Sequence, residues 1–309
     1  MKKIIYYILI LPLILCISGC LDENPRDQFD QDAIYDNASN IYNNAVASLY
    51  NYFGGHQNSE GLQGTCRGLY DYNTLTSDEA MIPTRGGDWY DGGLWKNLYQ
   101  HKWSANDIYL YDIWKYLYKV IMLSNKSLAD IESHKGALSY DQYKCFTAEV
   151  RAIRALYYWY AMDMFGNIPL VTSYNVKLEQ VVQNKRSEVF QFIVDELQQA
   201  APLLADARSN KAGDYYGRIT RPVVHFLLAK LALNAEIYSD DNWTDGKQMD
   251  GRTIFFDVNG VKKNAWETCI WYCDQLNSVG YTLESDYATN FAVHNENSDE
   301  NILAISLDN

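Results

Sequence analysis

The stretch that most constrains this chain is residues 149–170, EVRAIRALYYWYAMDMFGNIPL. Ile153, Leu156, Tyr157, Tyr160 and Met164 recur at helical steps of three and four. A second stripe, Val150, Arg154, Tyr158, Ala161 and Phe165, runs beside the first, so apolar surface wraps most of the circumference. Such a helix needs neighbours on several sides, because a one-sided surface helix would keep a polar face. Gly166 predicts a left-handed cap at its end, and Pro169 bars it from resuming. The rest of the chain is expected to supply those neighbours.

It does so mainly as helices. Residues 33–53 carry the stripe Ile41, Tyr42, Ala45, Val46, Leu49 and Tyr50, closed by Gly54 and Gly55. Residues 106–131 predict a long helix with Ile113, Trp114, Leu117, Ile121, Leu128 and Ala129 inward. Asn125 falls within that stripe, where a buried amide needs partners. Gly136 separates this helix from the central one, so the two read as an antiparallel hairpin. Ser187 predicts the cap of a helix running to Leu204, and Pro222 fits the first turn of another over 222–238. A final helix over 265–279 turns Trp266, Cys269, Ile270, Cys273 and Leu276 inward, with Gly280 as its cap. Residues 302–307 read as a strand. The fold class is all-α, built from helical hairpins.

Two segments break the pattern. Residues 240–251 form an acidic loop whose residue types and glycine position do not match a calcium loop. Residues 56–104 hold no sustained period and are rich in Gly, Asp, Asn and Trp; an irregular segment of this length inside a folded chain is usually functional. Within it, Arg85-Gly86-Gly87-Asp88-Trp89-Tyr90-Asp91-Gly92-Gly93 joins aromatic faces to charged groups on a glycine-rich backbone. An aromatic face stacks on the C–H side of a sugar ring, carboxylate and guanidinium groups bond hydroxyls, and glycine lets the backbone approach. Trp89, Arg85, Asp88, Tyr90 and Asp91 are therefore the candidate glycan-binding residues. Trp95 and Trp103, nearer the next helix, read as packing residues.

The start of the chain reads as a processing signal. Lys2 and Lys3 precede an apolar run too short to span a bilayer, and Ile17-Ser18-Gly19-Cys20 has the form of a lipoprotein cleavage site. Residues 1–19 are expected to be removed, Cys20 to carry acyl chains, and 20–32 to serve as a flexible tether before a folded domain over 33–309. Asp and Glu outnumber Lys and Arg 39 to 26, and loss of the leader removes two more cations. That balance argues against nucleic acid or anionic lipid as a partner, since both reward positive patches. Cys66, Cys145, Cys269 and Cys273 are too few for a disulfide framework, and the Cys269/Cys273 pair has no His or acidic residue at ligand spacing. That pair reads as buried thiols, and neither a metal nor a cofactor is expected.

Glu149-x-Arg151-x-x-Arg154-Ala155-x-x-Tyr158, followed by Phe165-Gly166-x-x-Pro169-Leu170, resembles the signature of the SusD/RagB family of outer-membrane nutrient-binding lipoproteins. Ser77-Asp78-Glu79, the Arg186-Ser187 helix start and Gly217-Arg218-x-Thr220 resemble further family elements, and Asp22-Glu23 after the lipid Cys resembles a surface-export signal. One departure is Glu196, which separates Asp195 from Leu197. The resemblance implies a tetratricopeptide-like hairpin scaffold with its irregular loops on a ligand face. It also implies a non-catalytic, lipid-anchored protein on the cell exterior that binds oligosaccharide and passes it to a SusC-like TonB-dependent transporter. Family members run beyond this point, so the chain reads as their N-terminal and central part. Two other classes stay open from the residues: a lipoprotein glycoside hydrolase, given the carboxylates of the 78–91 region, and a helical-repeat lipoprotein that binds a peptide or protein.

Overall fold

The computed structural model describes residues 34–54, 60–62 and 67–305. The leader, Cys20, the tether and Cys66 lie outside the described residues. What is described is mostly helical. A first helical segment comprises α1 (Ala38–Ile41), a six-residue π stretch (Tyr42–Ala47) and α2 (Ser48–Gly54). Then come α3 (Leu69–Thr76), α4 (Leu94–Tyr99), α5 (Ile108–Ser133) and α6 (Tyr140–Phe165). The second half holds α7 (Arg186–Ala200), α8 (Arg221–Leu233), α9 (Ala235–Tyr238) and α10 (Ala265–Ser278). Two small antiparallel pairs complete it: β1 (Ile168–Pro169) with β2 (Gln183–Asn184), and β3 (Phe255–Val258) with β4 (Val261–Asn264).

α6 is the axis. α5 packs along one side of it as the other arm of a hairpin, and α7 lies on another side; α8 pairs with α10. Ser139 and Gln142 form a capping box at its start, satisfying N–H groups the first turn would leave open. Both predicted stripes are inward, with Ile153, Tyr157, Tyr158 and Ala161 fully buried. The helix stops at Gly166, but not in the left-handed α region expected: φ is +69 with ψ −105, a conformation essentially reserved for glycine. The chain then turns back so sharply that Tyr158 Oη donates to Val171 O and accepts from Val171 N, each at 2.7 Å.

Polar groups of the recurrent motifs lie in the core rather than at a surface. Glu149, 1% exposed, takes a bidentate pair from Arg218 at 2.7 and 3.1 Å, plus the hydroxyls of Tyr50 at 2.5 Å and Tyr42 at 3.3 Å. The Tyr50 hydroxyl also accepts from Ile219 N–H; burial, with Glu149 beside it, holds its pKa well above the ordinary tyrosine value. Arg154 bonds Glu196 at 2.6 Å and Asn125 at 2.7 Å, while Arg151 bonds the other Glu196 oxygen at 2.6 Å. Asn125 in turn donates to Val171 O at 2.8 Å, the partner its burial required. Glu196, the residue that departs from the family pattern, is thus the acceptor of two arginines.

Several expectations are corrected. Residues 56–104 are not wholly irregular: α3 and α4 form there, too short for a sustained period. Ala129 faces outward, although the rest of its stripe is at least partly covered. Ser187 is not at the N-cap of α7; that position falls to Lys185, whose backbone N–H donates to Glu188, and Ser187 bonds Asp241 instead. That helix ends at Ala200 in a 3-10 turn, and the 222–238 helix breaks at Asn234. In α10 the buried face is Ala265, Thr268, Tyr272 and Leu276, so Ile270 and Cys273 are exposed and Cys269 is half-buried. Residues 302–305 form no strand. Among the described residues, no helix is long and apolar enough to cross a membrane.

Candidate functional site

The aromatic loop is held out by its own backbone. Arg85 and Asp88 exchange both backbone bonds at 3.0 Å across Gly86 and Gly87, a two-residue turn with positive φ at its first central residue, as in type II′. Trp89 (φ +62) and Asp91 (φ +42) then adopt left-handed backbone that non-glycine residues avoid, followed by Gly92 and Gly93 in the same region. Each such non-glycine residue costs about 1–3 kcal/mol, so surrounding contacts must hold it.

The brace is Asp91. Trp95 Nε1–H donates to its Oδ2 at 2.6 Å, and Arg67 Nη2 lies 3.2 Å from its Oδ1. Arg67 also sits over the rings of Trp95 and Tyr109, at 5.7 and 5.5 Å. Trp95 is buried with Leu94 and Leu98 of α4, as the packing role expected of it requires. From this base Trp89 and Tyr90 project 55% and 60% exposed, with the Trp89 ring tilted at 58° and 6.3 Å from Trp95.

The five sequence candidates therefore separate. Trp89 and Tyr90 present open aromatic faces. Arg85 and Asp88 are exposed beside them and enter no ion pair among the described residues. Asp91 has one oxygen on Trp95 and the other on Arg67, so its work is to hold the loop. Ser77, Asp78 and Glu79 lie beyond α3, with Asp78 left-handed at φ +61.

A second aromatic surface starts at the head of α5, one residue from Tyr109. Trp103, Tyr111, Trp114 and Phe165 line a groove of about 630 Å3. Trp103 is 43% exposed and stands edge-on to His101, so it is not the packing residue its position suggested. The cue was available: Tyr111 falls on the α5 face opposite the buried Ile113 and Leu117. Among the described residues, no three His, Cys, Asp or Glu side chains converge as a metal site.

The class this architecture defines is a helical-hairpin scaffold that projects a braced, irregular aromatic loop. Residues 68–233, more than half of the chain, match the SusD-like family described as "Starch-binding associating with outer membrane", and the chain belongs to that family. It is similar to a SusD-like protein of Bacteroides ovatus, 24% identical over 296 residues, covering 94% of this chain and 46% of that protein. It is also similar to the starch-binding protein SusD of Bacteroides thetaiotaomicron, 26% identical over 188 residues, covering 58% and 30%. Among solved structures, a SusD superfamily protein from Bacteroides vulgatus has a TM-score of 0.67 at 19% identity, covering 87% of this chain and 50% of that one. A laminarin-binding SusD-like protein has a TM-score of 0.60 at 23% identity, covering 87% and 51%. These structures bear out the all-α hairpin fold. The chain spans about half the length, or less, of the relatives it matches.

Proposed function

We propose that this chain binds oligosaccharide through the 83–93 loop, with Trp89 and Tyr90 as stacking faces and Arg85 and Asp88 as hydroxyl partners. The observation that carries this reading is the brace: Asp91, Trp95 and Arg67 hold a strained backbone in place. Its result is to keep two large aromatic rings in water, where an unliganded fold gains nothing from them. The relatives whose descriptions name starch and laminarin support the ligand class. The reading extends to a surface lipoprotein, anchored through Cys20, that hands ligand to a SusC-like TonB-dependent transporter without catalysis. Ser18-Gly19-Cys20 and the family's association with the outer membrane support the anchor.

Calorimetric titration with a panel of plant, host and microbial oligosaccharides tests it. Saturable binding with intact sugar recovered is the expected result. Release of shorter products would establish a glycoside hydrolase instead, and silence across the panel would overturn the glycan reading. Labelled palmitate incorporated by the wild type and lost in Cys20→Ser tests the anchor.

A further inference from the structure

The fold carries a second polar cleft, far in sequence from the aromatic loop. It opens between the 3-10 turn after α7, the start of α8, α10 and the tip of the β3–β4 hairpin, and encloses about 540 Å3. That lies within the range of small-molecule sites, roughly 300–1,000 Å3.

One wall is an aromatic corner. Trp271 stands edge-on to Tyr272, with centroids 4.9 Å apart at 81°, and to His225 at 6.1 Å and 67°. These two contacts fix the angle of the indole, which is only partly covered. Planar amides surround it. Gln198 gives its Nε2–H groups to Asp257 O at 2.7 Å and to Tyr272 Oη at 3.3 Å, which leaves Oε1 as an acceptor. Gln199 uses Oε1 to accept from Arg151 at 2.9 Å, which leaves its amide donors. Gln275 has only a 3.5 Å contact to Trp271 O, and Asn259 sits exposed at the hairpin tip.

The charged groups here are already engaged. Arg221 pairs with Asp206 at 3.3 Å and points at the carbonyls of Ala201 and Leu204. Asp257 accepts from Gly260 N–H at 2.7 Å. Burial, aided by Arg221, pulls the His225 pKa down to about 4, so its ring is uncharged near neutrality. Beside the Asp257 carboxylate, the cleft thus offers an aromatic face and uncharged amide donors and acceptors, and it lacks the unpaired cation that an anionic ligand would seek. Adjacent hydroxyls on a pyranose suit planar amides, and its C–H face suits the indole.

We infer that this cleft is a second binding site for a neutral oligosaccharide, with Trp271 as its platform and Gln275, Gln198 and Asn259 as hydroxyl partners. The ligand class rests on the glycan reading above; the site shares no residue with the loop.

The test is calorimetry on the full chain, in a detergent without a sugar headgroup, with maltoheptaose and laminariheptaose as separate probes. Wild type, Trp89→Ala, Trp271→Ala and Gln275→Ala are compared, with far-UV dichroism as the control for folding. With at least one probe, binding is expected to persist in Trp89→Ala. Adding Trp271→Ala or Gln275→Ala to that variant should then weaken it about tenfold or more. Should Trp271→Ala misfold, the partly exposed Gln275→Ala decides the matter. Binding that persists in Trp89→Ala but is unmoved by Trp271→Ala and Gln275→Ala overturns the second site. Binding abolished by Trp89→Ala alone overturns it too and leaves the loop reading standing. Loss only with Trp271→Ala or Gln275→Ala supports the cleft while removing the loop, and silence of the wild type towards both probes overturns both.

Discussion

At the scale of single residues, side chains that look alike in sequence do different work. Trp89 and Trp95 lie six positions apart; one is half open to water and the other buried, with its indole N–H on Asp91. Trp89→Ala is expected to weaken glycan binding by about 1–3 kcal/mol, the loss of one stacked aromatic, with far-UV dichroism unchanged. Asp91→Ala is expected to weaken binding through the loop instead. Removing the brace should broaden the loop's conformations, seen as faster amide exchange over 85–93 alongside the lost affinity. Gly166 supplies a purely backbone test. A Cβ there would meet no atom within 4 Å, yet φ +69 with ψ −105 strains any other residue. Gly166→Ala should cost about 1–3 kcal/mol of stability, read as a lower thermal midpoint.

Between elements, the strong connections are buried ion pairs that join the motifs to one another. Glu149 of α6 receives Arg218 from the segment before α8 and two tyrosine hydroxyls from the first helical segment. Arg151 and Arg154, two and five residues further along, converge on Glu196 of α7. Removing one partner of such a pair strands the other in low dielectric. Glu196→Ala should therefore destabilise the chain by roughly 3–5 kcal/mol by chemical denaturation, and Glu196→Gln, which keeps the acceptor oxygen, by less. The recurrent signature is thus a structural lock, its charged residues paired across elements of the scaffold, and this is why it could announce the fold so clearly.

For the molecule as a whole, acid should loosen the α8–α10 half. His225 is held at about 4 in the fold against 6.5 in the unfolded chain, chiefly by burial, with Arg221 adding to it and Asp206 opposing it. Between those values the unfolded state binds the extra proton, so stability falls as pH drops from 6.5 towards 4. The loss from this group is roughly 1–3 kcal/mol, and His225→Gln should flatten that limb of thermal midpoint against pH. The large architecture was legible in sequence because long helices such as α5 and α6 repeat their apolar spacing over many turns. What stayed hidden has physical reasons. In α10 both the Cys269/Ile270/Cys273 side and the Thr268/Tyr272 side are apolar enough to bury, and packing against α8 decides between them. The β3–β4 hairpin went unread although Asn259-Gly260, left-handed at φ +54 and +79, is a strong two-residue turn signal. In the loop, composition marked the right segment, but only three-dimensional placement could separate the bracing Asp91 from the outward Trp89.

The π stretch at Tyr42–Ala47 makes the first helical segment behave as if it had gained one residue. Tyr42 and Tyr50 are eight positions apart, so an ideal α-helix would point them about 80° away from each other, at 100° per residue. The wider turn takes up that angle, and both hydroxyls arrive on one carboxylate. Deleting a single residue between the two tyrosines would leave them seven apart in a regular helix, about 20° from alignment by the same count, so both hydroxyls should still face Glu149. In this segment a one-residue deletion should therefore cost less stability than a substitution that removes the Tyr50 hydroxyl from Glu149.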